Sequence, residues 1–142
     1  MVRDFKRRGV PIDGVGLQVH VSKLNLDVAG LQANIARIAA LGVQVHITEL
    51  DVSIPLSLEG NPVNKDDLIR QAQIYRSAVR ACLQSSGCTA IQTWGFTDKY
   101  SWIGSSSHSS RGVALPLDRA YRPKPAYGAI LEELSAGRNH RR

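Results

Sequence analysis

Between Gly14 and Val21 the chain reads GVGLQVHV. Val15, Leu17, Val19 and Val21 alternate there with Gly16, Gln18 and His20, the two-residue period of a strand with two distinct faces. From Val28 the apolar residues Val28, Leu31, Ile35, Ile38 and Leu41 recur at three- and four-residue steps. That spacing predicts an amphipathic helix, with Asp27 placed to cap its start and Gly42 to end it. Val43 to Val52, VQVHITELDV, is again strand-like and rich in β-branched residues. Leu68, Ala72, Tyr75, Val79 and Cys82 then mark one face of a second long helix. A third strand, Thr89 to Phe96, and a closing helix with Ala126, Tyr127, Ile130, Leu131 and Leu134 complete the pattern. Pro123 and Pro125 suit the entry to that helix, where a missing N–H is harmless. Val2 and Phe5 lie on one side of Met1 to Arg8, which reads as the tail of a helix already under way.

Strand and helix in series imply parallel strands joined by crossovers, so the fold class is α/β, either a doubly wound sheet or a (β/α) barrel. The loops favour the barrel. Short turns lead into each strand, while long segments, Ser53 to Asn64 and Thr97 to Arg122, follow the second and third. Elaborated loops at strand C-termini are where barrel enzymes place their active sites. No glycine-rich phosphate cradle opens any helix, which disfavours a nucleotide-binding sheet. Three units do not close a barrel that takes eight, so the expectation is a chain that begins in mid-domain.

Composition narrows the picture little further. The 142 residues, 43% hydrophobic and 21% charged, suffice for one globular unit or part of one. The net charge of +6 raises a nucleic-acid reading, but outside the closing Arg138 to Arg142 the cations are interleaved with Asp and Glu. Residues 137–142 are therefore expected to be a basic, disordered tail behind a domain portion at 1–136, with no nucleic-acid partner. Asn34 and Arg37 break the most apolar run, so no membrane span is expected. The N-terminus lacks a signal sequence, and any export address would lie upstream. Cys82 and Cys88 flank a Ser-Ser-Gly turn and are read equally as a small disulfide loop or as buried thiols.

The candidate chemistry lies at strand ends. Glu49, in Thr48-Glu49-Leu50-Asp51, closes the second strand. Such a carboxylate in isolation is more often a surface acid paired with a cation. Around it, however, Gln18 and His20 end the first strand, and Trp94 and Trp102 flank the loop after the third. Amide, imidazole and indole groups converging on an acid describe a carbohydrate site, because sugars present flat C–H faces and a rim of hydroxyls. His46 and His108 are read as structural. No His and acidic residues fall at metal-ligand spacing, so neither metal nor cofactor is implied.

The run GVQVHITELDV, Gly42 to Val52, resembles the nucleophile motif of glycoside hydrolase family 10, the endo-1,4-beta-xylanases. The resemblance continues in GVPIDGVGLQVH from Gly9, QAQIYRSAVRACL from Gln71, TWGFTDKYSWI from Thr93 and YRPKPAYGAI from Tyr121. It implies a secreted retaining hydrolase acting on internal bonds of xylan, with strands six to eight of an eightfold barrel present here. It also implies Glu49 as nucleophile, His20 bonded to it, Gln18, His20, Trp94 and Trp102 lining the sugar site, Asp51 supporting them, and a Cys82–Cys88 disulfide.

A retaining mechanism needs a second carboxylate about 5 Å from the first. The family keeps it in an Asn-Glu pair on the fourth strand, and this chain has no Asn-Glu pair. The isolated chain is thus expected to be inactive, and a non-catalytic carbohydrate-binding remnant is the alternative. Parity adds a structural expectation. Glu49 alternates in step with the apolar Val45 and Ile47, so if that apolar set packs on the helices, a bulge or twist near Thr48 must turn Glu49 inward.

Overall fold

The computed structural model describes residues 1–104 and 109–139, so His108 lies outside the described residues. In chain order the elements are α1 (Val2–Arg7), β1 (Gly14–Val21), α2 (Val28–Ala39), β2 (Gln44–Val52), β3 (Ile54–Pro55), α3 (Asp66–Leu83), β4 (Cys88–Thr93), β5 (Arg111–Gly112) and α4 (Pro125–Asn139). The three alternating stretches become one parallel sheet in the order β1-β2-β4. Asp27 caps α2 by accepting the Gly30 N–H at 2.9 Å, and Gly42 follows the helix at φ +72°, the left-handed backbone that glycine adopts without strain.

One face of the sheet is covered by helices. Val19 and Val21 of β1, Val45, Ile47, Leu50 and Val52 of β2, Ile35 and Ile38 of α2, and Tyr75, Ala78 and Cys82 of α3 form a single buried cluster. α3 packs in turn on α4, where Arg80 grips Glu133 through two 2.8 Å bonds that hold the Glu133 carboxyl below its ordinary range. Cys82 and Cys88 form a disulfide that ties the end of α3 to the start of β4. This settles the choice that spacing left open.

Among the described residues β1 and β4 each pair on one side only, and no closed barrel forms. Parallel sheets are ordinarily covered on both faces. Here Phe96 and Tyr127 stay 57% and 44% exposed beside the β4 edge. The architecture is that of part of a (β/α) barrel.

Two features differ from the sequence pattern. β3 and β5 pair antiparallel, Ile54 opposite Gly112 and Pro55 opposite Arg111, and two-residue strands are too short for any period to reveal. The strand expected over Thr89 to Phe96 ends earlier, because β4 runs from Cys88 to Thr93 and Phe96 lies in the loop beyond it.

The long connection from β4 to α4 is braced from within. Asp98 and Lys124 form an ion pair at 2.8 Å with both side chains buried. Asp98 also accepts the Leu115 N–H at 2.8 Å, and Lys124 donates to the Val113 carbonyl at 2.7 Å. Gln71 of α3 donates to the same Val113 carbonyl and to that of Val52, each at 2.6 Å. These bonds hold Val113 at φ +49°, a strained conformation for a β-branched residue. Burial pushes the Asp98 carboxyl up and the Lys124 ammonium down, against the attraction between them.

Candidate active site

The position of Glu49 depends on one extra residue. Leu17 pairs with Ile47, but Gln18 pairs with Glu49, so Thr48 stands unmatched as a bulge in β2. Before the bulge Val45 and Ile47 face the helices, and after it Leu50 and Val52 do. Glu49 and Asp51 are therefore turned to the opposite face, beside their register partners Gln18 and His20. β1 keeps an unbroken alternation throughout, so both pairs meet at the strand C-termini.

The bulge needs room on β1. A Cβ at Gly16 would lie 2.8 Å from Thr48 Oγ1 and 2.9 Å from its Cγ2, too close for either to stay in place. Gly16→Ala is expected to destabilise the chain by about 1–3 kcal/mol, the usual range for overpacking. It should also displace Glu49 from its bonds to Gln18 and His20. Chemical denaturation alongside a crystal structure of the variant checks both; a fully stable variant with Glu49 still in place would show that the bulge does not set the site.

Both oxygens of Glu49 are held. Gln18 Nε2 donates to Oε1 at 2.9 Å, and His20 Nε2 lies 3.1 Å from Oε2. The other ring nitrogen, His20 Nδ1, lies 2.9 Å from Asp51 Oδ2, which also accepts the Trp102 indole N–H at 2.8 Å. A neutral imidazole has a single N–H, and ionised carboxylates only accept. Both His20 contacts are satisfied only when the cluster holds one further proton, on the imidazole or on a carboxyl.

Exposure separates the two acids. The Asp51 side chain is 1% exposed and the Glu49 side chain 16%. Glu49 is the carboxylate that a ligand can reach, whereas Asp51 anchors His20 and Trp102 from below. Buried in this way, Asp51 is poorly suited to shuttle protons to a substrate. The Trp102 ring stands edge-on to His20 with centroids 5.3 Å apart, and the residue remains 57% exposed.

Trp94 follows β4, its backbone N–H bonded to Leu50 O at 3.0 Å, and is 47% exposed. Its indole N–H makes no hydrogen bond to Glu49, His20 or Asp51. The structure thus joins Gln18, His20, Glu49, Asp51 and Trp102 directly and leaves Trp94 at the neighbouring strand end. Sequence reasoning missed Arg111, whose guanidinium bonds to Ser53 Nε to Oγ at 3.1 Å and Nη2 to O at 2.6 Å. No periodicity marks a lone arginine in a long loop. Among the described residues no group of three or more His, Cys, Asp or Glu could hold a metal ion, and no helix is long and apolar enough to cross a membrane.

The chain as a whole is similar to known proteins. The chain is 42% identical over 132 residues to endo-1,4-beta-xylanase B of Thermotoga neapolitana, an alignment that takes in 93% of this chain and 37% of that protein. Native xylanase 10B of Thermotoga maritima superposes with a TM-score of 0.86 at 41% identity, over 96% of this chain and 40% of the other. Xylanase 10B of Thermotoga petrophila, crystallised in complex with xylobiose, matches with the same score at 42% identity and the same coverage. This chain therefore spans about two fifths of the length of these relatives. Residues 1–133 match glycosyl hydrolase family 10, and the chain belongs to that family.

Proposed function

We propose that this chain is the nucleophile-bearing portion of a retaining endo-1,4-beta-xylanase, with Glu49 attacking the anomeric carbon of a xylose unit. The observation that carries the reading is the hold on Glu49: Gln18 and His20 fix its two oxygens at the C-terminal end of a strand in a partial barrel. In a retaining reaction the carboxylate forms a glycosyl-enzyme intermediate, and a second carboxyl group first protonates the leaving oxygen and then activates water. His20 orients Glu49 and links it to Asp51. Trp102 and Trp94 offer flat apolar surfaces to sugar rings. The similarity to a relative crystallised with xylobiose supports xylan or its oligosaccharides as ligand.

The acid/base carboxylate belongs to the part of the barrel that this chain lacks. On its own the chain is then a sugar-binding remnant, a reading favoured by the deep burial of Asp51, the one other acid joined to the cluster. The Cys82–Cys88 bond supports an exported protein, since disulfides persist in oxidising compartments.

Reducing-sugar release from xylan tests the proposal. The chain alone is expected to release none above background. The same chain joined to the preceding strand-helix units of a family member should turn over xylan. Activity of the chain alone, or inactivity of a folded, completed barrel, would overturn it.

A further inference from the structure

Beside the candidate site lies an open hollow of about 410 Å³, whose lining includes His20, Asp51, Trp102, Ser22, Ser53 and Arg111. It shares its first three residues with the Glu49 cluster, so a group resting there would be attached to a sugar close to the point of attack. The volume is within the range of small-molecule pockets and is enough for one monosaccharide.

We propose that Arg111 is a specificity-determining residue that binds the carboxylate of a uronic acid side group carried on the xylan chain. This rests on the reading of the Glu49 cluster as a xylan site. Two bonds to Ser53 hold the guanidinium in a fixed plane, using Nε and one hydrogen of Nη2. A guanidinium has five N–H donors, so three remain. Among the described residues no Asp or Glu forms an ion pair with Arg111, unlike Arg76, Arg80 and Arg122. Asp51 is the acid in the lining, but its Oδ2 already accepts from Trp102 and faces His20, and its side chain is almost wholly covered. What remains is a preset planar fork at a hollow whose one acid among the described lining residues, Asp51, is covered and engaged elsewhere. A carboxylate matches such a fork with two parallel charge-assisted bonds. Neutral decorations, which present hydroxyls, gain no comparable charge-assisted pairing there.

Affinity electrophoresis of this chain in gels containing linear xylan, glucuronoxylan, carboxyl-reduced glucuronoxylan or arabinoxylan tests the inference. Glucuronoxylan should retard the chain more than its carboxyl-reduced form, in which each carboxylate is replaced by a neutral CH2OH. Arg111→Gln should weaken binding to glucuronoxylan about tenfold, the scale of one charged hydrogen-bonded pair, and leave linear xylan binding unchanged. Arg111→Lys, which keeps the charge without the fork, should retain part of the preference. Because the chain is cationic, Arg3→Gln serves as the charge-matched control and should change nothing. Equal losses in Arg111→Gln and Arg3→Gln, or equal retardation by the native and carboxyl-reduced polymers, would overturn the role of Arg111. If linear xylan binds without any preference for the acidic polymer, this inference fails alone. If no xylan binds, the reading of the whole site fails with it.

Discussion

Glu49→Gln, introduced into this chain after it is joined to the preceding units of a family barrel, is expected to lower turnover of xylan on the order of 10⁴-fold or more. That is the scale seen when a covalent nucleophile is removed from other enzymes. The amide is isosteric with the carboxylate, so Gln18 and His20 keep a neighbour of the same shape, but it has no charge with which to attack carbon. The loss should therefore appear in kcat while oligosaccharide binding changes little. Steady-state kinetics with a binding titration checks this. A variant that retains a tenth of its turnover would remove Glu49 from the reaction.

The second large effect is expected in stability. Removing one member of the buried Asp98–Lys124 pair strands the other charge away from water, and such changes cost about 3–5 kcal/mol. Asp98→Asn or Lys124→Met should show that loss in chemical denaturation. Lys124→Met has the added consequence of leaving the strained Val113 with only Gln71 on its carbonyl. Burial is the leading influence on both groups and moves each toward its neutral form, the Asp98 carboxyl up and the Lys124 ammonium down. The same burial means that replacing both by apolar residues of similar volume should recover most of the stability, as found for other buried pairs. A double variant as unstable as the sum of the single ones would show that the ions are needed individually, for Leu115 and Val113, and not as a pair.

The parallel sheet was legible because β1, β2 and β4 carry β-branched or alternating runs, and the helices because their apolar residues recur at three- and four-residue steps. β1 begins and ends at the residues its alternation marks. The bulge at Thr48 was legible too, from the conflict between a polar Glu49 and the parity of Val45 and Ile47. What stayed hidden depends on contacts between distant segments. Asp98, Lys124 and Gln71 sit in segments whose local pattern is ordinary, and only folding brings them to Val113. Arg111 is likewise silent until Ser53 fixes it beside the hollow. The membership of Trp102 in the hydrogen-bonded cluster needed its exact reach to Asp51, which spacing does not supply.

The central claim, that Glu49 is the residue that attacks sugar carbon, is tested most directly by trapping the intermediate on this chain as it stands. The dinitrophenolate of a 2-deoxy-2-fluoro-xylobioside departs without protonation, so glycosylation needs no general acid, while the fluorine slows release of the sugar. Intact-mass analysis followed by peptide mapping is expected to find one fluoroxylobiosyl group on the peptide containing Glu49, and none in Glu49→Gln. A folded chain that takes up no label, or one labelled on another residue, would contradict the account.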